Sequence, residues 1–360
     1  MNIYSSAGSQ QFNTFLDTTL HALGKEIEQA MGEPFLALIL AGGYGRGEGA
    51  CIQKDGKEAP YNDFDLFVVV RERIAISEKV LEITKKYEEK LGIEVDIGKP
   101  LTIDMIRGLP HQLMYQDLLQ SHKVIVGDPQ ILSEHAPSYL RESLPQIEAL
   151  RLLLNRGSGL LQAIIHCQAG IQYAKHVLPD PDFIRRNREK CTLALGDSLL
   201  ITHRLYTPPL DQRTKTLHEQ IEGLPIPQAQ RILSLYEQAA HFKTHPDSLT
   251  KEQPPLSDLQ EIAQLWVEVM LYCERARTGK VWNHAGAYER DHFIREPEQH
   301  TPKNLLRNLG KNLKEGRISL LYPREKLYGK LGVLLGNPKP EENAWRKQAE
   351  TFLGAWNGCN

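Results

Sequence analysis

In QQFNTFLDTTLHALGKEIEQAM (10–31) the apolar positions Phe12, Phe15, Leu16, Leu20, Leu23 and Ile27 recur near helical spacing, which predicts an amphipathic helix. Gly32 ends it and Pro34 marks a new start. FLALILAG (35–42) is an unbroken apolar run of strand length closed by glycines, the pattern of a buried strand. A glycine-rich segment, GGYGRGEG (42–49), leads into a polar loop (51–62) with turn chemistry at Asp55-Gly56. DFDLFVVV (63–70) predicts a second strand, acidic at its head and β-branched at its tail. A charged amphipathic helix over 75–91 stops at Gly92, and IEVDIG (93–98) predicts a third strand. A helix over 111–121 and a strand in HKVIVGD (122–128) complete the series. The alternation is that of a small α/β unit.

From about residue 145 the pattern changes. ALRLLLNRGSGLLQAIIH, REKCTLALGDSLLITHRLY, QAQRILSLYEQAAHF and LQEIAQLWVEVMLYCERA all carry helical apolar spacing, separated by Pro and Gly clusters. No segment there has strand period, and Pro302, Pro323 and Pro338 divide 300–360 into two or three further short helices. The expectation is a two-domain chain, with a mixed unit over 1–140 and an all-α helical bundle over 141–360.

Composition narrows the classes. With 41% hydrophobic residues and 43 basic against 45 acidic side chains, the chain is neither wholly disordered nor histone-like. The balance hides an asymmetry: residues 1–150 carry 14 basic and 22 acidic residues, the remainder 29 and 23. Such a division suits a metal-binding half beside a phosphate-binding half. No run approaches the ~18 apolar residues of a membrane span, so no membrane partner is expected. The N-terminus has no secretory pattern. The five cysteines form no CxxC pair, which argues against a zinc ribbon or disulfide framework and suits a reducing cytoplasm.

The candidate chemistry lies in the mixed unit. Residues i and i+2 of a strand share a face, so Asp63 and Asp65 present two carboxylates together, and Asp96 on a neighbouring strand can join them. Three clustered carboxylates repel strongly unless a cation neutralises them. Mg²⁺, with its preference for oxygen ligands, suits the set, and paired ions are a standard clamp for nucleotidyl transfer. A Gly42-Gly43 turn at a strand end lets backbone N–H groups approach a phosphate, with Arg46 available to add charge.

Gly42-Gly43-Tyr44-Gly45-Arg46-Gly47-Glu48 followed by Asn62-Asp63-Phe64-Asp65-Leu66 resembles the signature of the DNA polymerase β-like nucleotidyltransferase superfamily. The wording is nearest to the GGYGRGE…SDIDLL segment of the bacterial uridylyltransferases that modify the PII protein. The resemblance covers 35–100, and more weakly to 130. It implies an α+β domain, a small mixed sheet with flanking helices. It also implies transfer of an NMP from ATP or another NTP, with Mg²⁺ or Mn²⁺, to a protein, small-molecule or RNA acceptor. Residue by residue, it makes Gly42 and Gly43 the phosphate turn and Asp63 and Asp65 metal ligands. Asp96 becomes the third ligand and the general base. Two departures stand out: Asn62 replaces a serine, and 51–59 is an apparent insertion. There is no His-Asp dipeptide, so the phosphohydrolase domain of the uridylyltransferases is not implied.

In the helical half, Lys190 is the candidate for the triphosphate-holding lysine that this superfamily takes from its second domain. Arg188 and Asp197 lie near it, and Arg151 and Arg156 are a second set of the same kind. Arg213 and His218 match the Arg-x4-His spacing of helical HEPN ribonucleases. A nucleotide-binding regulatory or antitoxin-like module with little turnover is the alternative to an enzyme.

Overall fold

The computed structural model describes residues 3–61, 63–168, 180–226, 228–246, 252–314 and 318–359; Asn62 lies outside them. The first helix, α1 (Gln10–Met31), starts where the Ser9 side chain accepts the Phe12 N–H and ends at Gly32, whose φ of +68° suits glycine. Strand β1 (Phe35–Leu40) runs into a short helix, α2 (Gly42–Arg46). The segment read as a polar loop is a hairpin, β2 (Cys51–Lys54) and β3 (Lys57–Pro60). Its turn residues Asp55 and Gly56 have φ of 52° and 74°. This two-residue Asp-Gly turn matches the twist of paired strands, and its short polar arms carry no apolar period to announce them.

Strand β4 (Phe64–Val70), α3 (Glu78–Leu91), β5 (Val95–Ile97) and β6 (Leu101–Thr102) follow. Next come α4 (Ile103–Arg107), α5 (Leu113–Gln120), β7 (Lys123–Gly127) and α6 (Ile131–His135). The sheet has the order β5-β4-β1-β7, with β6 also pairing β4. Pairing is mixed: β1 is antiparallel to β4 and β7, whereas β4 is parallel to β5 and β6. Strand period splits the apolar side chains between two layers. Leu38, Leu40, Phe64, Leu66, Val68 and Val70 pack against α1 and α3. Ala37, Ile39 and Val69 pack with Ile106, Leu118 and Leu132 from α4 to α6.

The helical region comprises α7 (Ile147–Cys167), α8 (Pro181–Thr202), α9 (Leu210–Gln220), α10 (Ala229–Thr244) and α11 (Leu256–Thr278), then α12 (Ala285–Arg290), α13 (Pro302–Lys314), α14 (Glu325–Gly336) and α15 (Asn343–Gly358). No strand follows Gly127 among the described residues. Trp266, Trp345 and Trp356 are buried there, Trp266 donating to the Leu153 carbonyl at 2.8 Å. The described part is therefore mixed α+β, with a small N-terminal sheet and a helical C-terminal region. All five cysteines are free thiols. No helix among the described residues is long and apolar enough to cross a membrane.

The chain divides into two compact units. One contains Met1–Pro145 together with Arg204–Thr216 and Glu237–Thr250; the other contains Gln146–His203, Leu217–Tyr236 and Lys251–Asn360. The sheet-bearing unit thus takes in two pieces of chain from far along the sequence.

Candidate active site

Phe64 and Leu66 of β4 point into the core beneath α1 and α3, so Asp65 between them points to the opposite face. Further along that face Phe67 and Val69 are covered by the α4–α6 layer, whereas Asp65 is only half-buried. Parallel pairing sets Phe64 opposite Val95, Asp65 opposite Asp96 and Leu66 opposite Ile97. Val95 is buried in the same layer as Phe64, which puts Asp96 on the face of Asp65. Register partners on adjacent strands stand ~5 Å apart, so these carboxylates are direct neighbours. Asp63, one residue before the strand, is exposed, as is Asp96.

The glycine turn arrives at the same place. Leu40, the last residue of β1, pairs with Leu66, and the Ala41 N–H donates to the Asp65 carbonyl at 2.9 Å. Gly42 therefore lies against the Asp65 side chain. Its φ is +63°, and a Cβ built there would be 1.9 Å from Asp65 Oδ2. Glycine is required at 42 on both counts. Gly43 is different: a Cβ there would meet nothing nearer than the Glu48 carbonyl oxygen at 3.7 Å, an ordinary contact. Tyr44 locks the segment down. Its hydroxyl donates to the Ala50 carbonyl at 2.6 Å and accepts the Tyr61 N–H at 3.1 Å, and its ring meets Phe64 edge-on at 4.9 Å.

Arg46 belongs to a largely buried ion cluster within the same unit. Its Nε is 3.0 Å from Glu48 Oε2, and a terminal nitrogen is 3.5 Å from Asp117 Oδ2. Glu48 also accepts the Leu210 N–H at 2.6 Å and lies 3.4 Å from Lys243 Nζ. Tyr206 donates to Asp117 at 3.2 Å, and the Arg213 guanidinium lies over the Tyr206 ring at 5.3 Å. Burial works to raise the Glu48 pKa, but Lys243, Arg46, the Leu210 N–H and Arg213 together hold it below the usual carboxylate range. At Asp117 burial prevails over Arg46, Arg213, Tyr206 and Lys243, and the carboxyl is pushed upward.

The cluster was not legible in the sequence. Its members come from six positions spread over nearly 200 residues; Arg46 and Glu48 lie in the glycine-rich motif and Arg213 stood out only for its spacing from His218, and nothing in the sequence joins them to Asp117, Tyr206 and Lys243. The cluster also bears on the Arg-x4-His reading: Arg213 is buried inside it whereas His218 on the same helix is exposed, so the two do not share a face.

The other candidates belong to the second unit. Lys190 is exposed on α8. Asp197, on the same helix, is buried and accepts the Tyr236 hydroxyl at 2.7 Å. Arg188 pairs with Glu189, and Arg151 on α7 pairs with Glu148, Glu296 and Glu298. Arg156 also lies on α7.

As a set of donors, Asp63, Asp65 and Asp96 offer only carboxylate oxygen, the chemistry a hard cation prefers. No three His, Cys, Asp or Glu side chains among the described residues are grouped to enclose a metal ion by themselves. Mg²⁺ rarely uses an all-protein cage; one or two carboxylates, substrate phosphates and water are its usual ligands. Asp65 and Asp96, in register on adjacent strands, are two carboxylates of the kind such an ion would use. A separate cleft of about 580 Å³, lined in part by Arg71, Arg73, Asp104, Met105 and Tyr115, opens at the other end of β4. No family model, no curated protein and no solved structure matches this chain.

Proposed function

We propose that this chain is a nucleotidyltransferase that moves an NMP from ATP or another NTP to a hydroxyl-type acceptor and releases pyrophosphate. The observation that supports it most is the register pairing of Asp65 with Asp96 beside the Gly42-Gly43 turn. In this reading the acceptor oxygen attacks the α-phosphorus, the bond to the β-phosphate bridging oxygen breaks, and the acceptor proton passes to Asp96. Asp65 and Asp96, with substrate phosphates and water, would hold Mg²⁺, with Mn²⁺ as a substitute, and the three-carboxylate set expected with Asp63 is not grouped to do so alone; when bound, the ion would neutralise phosphate charge at this carboxylate-rich edge. Gly42 keeps the turn against Asp65, and Gly43 leaves room for a phosphate to approach the backbone.

The two glycines make a sharp test. Gly42→Ala is expected to cost ~1–2 kcal/mol of stability from its positive φ alone, with the clash against Asp65 in addition. Gly43→Ala is expected to melt like the wild type yet to raise the KM for NTP about tenfold, because the added methyl occupies only the phosphate's space. Thermal melts and steady-state kinetics on the two variants check this.

The activity itself is tested by incubating the protein with Mg²⁺, each α-labelled NTP and fractionated cell lysate while following pyrophosphate release. Label transferred to a protein, RNA or small-molecule fraction, and lost in the Asp63→Ala, Asp65→Ala double variant, supports the reading and identifies the acceptor class. Nucleotide binding without transfer would favour the regulatory module instead. If RNA is the acceptor, its binding will weaken steeply with salt.

A further inference from the structure

Helix α13 (PKNLLRNLGKNLK) turns its polar side inward. Helical period places Asn304, Asn308 and Asn312 on one stripe, and Leu305, Leu306, Leu309 and Leu313 on a second. Lys303, Arg307 and Lys311 form a third. The asparagine stripe is the one that faces protein: Asn308 is 2% and Asn312 0% exposed, against 74% for Leu306 and 53% for Leu313. The burial is bought by specific hydrogen bonds. Asn304 donates to the Glu298 carbonyl at 2.9 Å, and Asn308 to those of Gln299 at 2.9 Å and Leu320 at 3.3 Å. The Asn312 Nδ2, with two hydrogens to donate, lies 2.9, 2.9 and 2.8 Å from the carbonyl oxygens of Asn308, Ser319 and Leu321, and its Oδ1 is buried without a hydrogen-bond partner. These bonds pin the 318–321 segment to the helix, and Ile318, Leu320 and Leu321 are exposed beside it.

Stability alone does not select this arrangement. Burying leucine is favourable, whereas burying a primary amide is costly unless each amide is satisfied. The amide N–H groups are held inside by carbonyls; Leu305 and Leu309 are half-buried, and Leu306, Leu313, Ile318, Leu320 and Leu321 are left exposed. An apolar patch with a polar rim marks an interaction site. The charge on α13 narrows the partner: Lys303, Arg307, Lys311 and Lys314 are its only ionic residues, and it has no acid. A second copy docked by the same face would bring like-charged stripes together. A nucleic acid would answer the cations but leave the leucines in water. An anionic bilayer surface answers both, with headgroup phosphates on the basic stripe and acyl chains on the leucines.

The geometry points to α13 with the 318–321 segment as an interfacial anchor for anionic phospholipid. The inference does not depend on the transferase reading. The absence of a membrane span does not oppose it, since a helix lying in the interface needs none.

The test is co-sedimentation of the full chain with vesicles of phosphatidylcholine alone or mixed with phosphatidylglycerol. Partition onto the mixed vesicles is expected to be at least about tenfold stronger, and to weaken at high salt. The Lys303→Glu, Lys311→Glu pair is expected to lower it by about tenfold or more. Leu306→Ser, Leu313→Ser should lower it as much, with an unchanged thermal melt showing that the fold persists. Equal partition onto both vesicles, or none, overturns the proposal. So does lipid binding that survives the leucine substitutions. A wild-type dimer that the leucine variant dissociates assigns the face to a second copy instead.

Discussion

Asp65→Asn is expected to lower nucleotide transfer at least a thousandfold while leaving the protein folded. The amide has the size of the carboxylate, so the contact with Gly42 and the backbone bond from Ala41 to residue 65 both survive. What disappears is a charged oxygen at the point where Asp65 and Asp96 stand in register. In the proposed reaction that charge helps hold the cation against the triphosphate. Losing several kcal/mol of transition-state stabilisation corresponds to about three powers of ten in rate.

The same variant carries an opposite prediction for stability. Like charges directly opposed on neighbouring strands repel, a cost on the order of 0.2–1 kcal/mol. Without divalent metal, Asp65→Asn is therefore expected to melt at or slightly above the wild-type temperature. Added Mg²⁺ should raise the wild-type midpoint and leave the variant nearly unmoved. Thermal melts with chelator and with Mg²⁺, beside the transfer assay, test both halves. A variant that retained full transfer would sink the proposed role of Asp65. One that melted far below the wild type would mean that Asp65 serves the fold instead.

Glu48→Gln is expected to be the most destabilising change in the sheet-bearing unit, by about 3–5 kcal/mol. It takes the Glu48 charge away from Arg46, Arg213 and Lys243, which also act on Asp117, and removes the charged acceptor of the Leu210 N–H. For a unit of this size the melting midpoint falls by roughly 2–4 °C per kcal/mol, so a loss of about 10 °C is the expected scale. Adding Lys243→Met to the variant removes one excess cation and should recover part of the loss.

The pH dependence has a definite sign. The Glu48 carboxyl is held below its ordinary range, so its contribution is present above the unfolded pKa and is lost as pH falls through the folded value. Asp117 is pushed the other way, so its contribution declines as pH rises from the unfolded towards the raised folded value. Glu48→Gln should therefore flatten the acid limb of the stability profile, and Asp117→Asn should remove a loss of stability on raising the pH. Denaturant titrations across the acid range measure both slopes.

Local pattern by itself determined most of the element types. The acidic head and β-branched tail of DFDLFVVV and the apolar run FLALIL are properties of neighbours in the chain, and the strands formed where they were expected. α1 formed over its predicted span of 10–31 for the same reason. Period two places Asp63 and Asp65 on one face only if both are in the strand, and the strand begins at Phe64, after Asp63. The tertiary structure decided which strand stands beside β4, and therefore that Asp96 falls opposite Asp65, because register is a relation between segments some 30 residues apart. It decided the need for glycine at 42, which arises from a side chain 23 positions away. The ion cluster joins residues 46, 48, 117, 206, 213 and 243, and charges that meet only through folding leave no period to read. In α13 the division of 300–360 by prolines predicts a short helix but not its orientation. Carbonyl acceptors supplied by neighbouring segments turned the asparagines inward, and Leu306 and Leu313 were left outside.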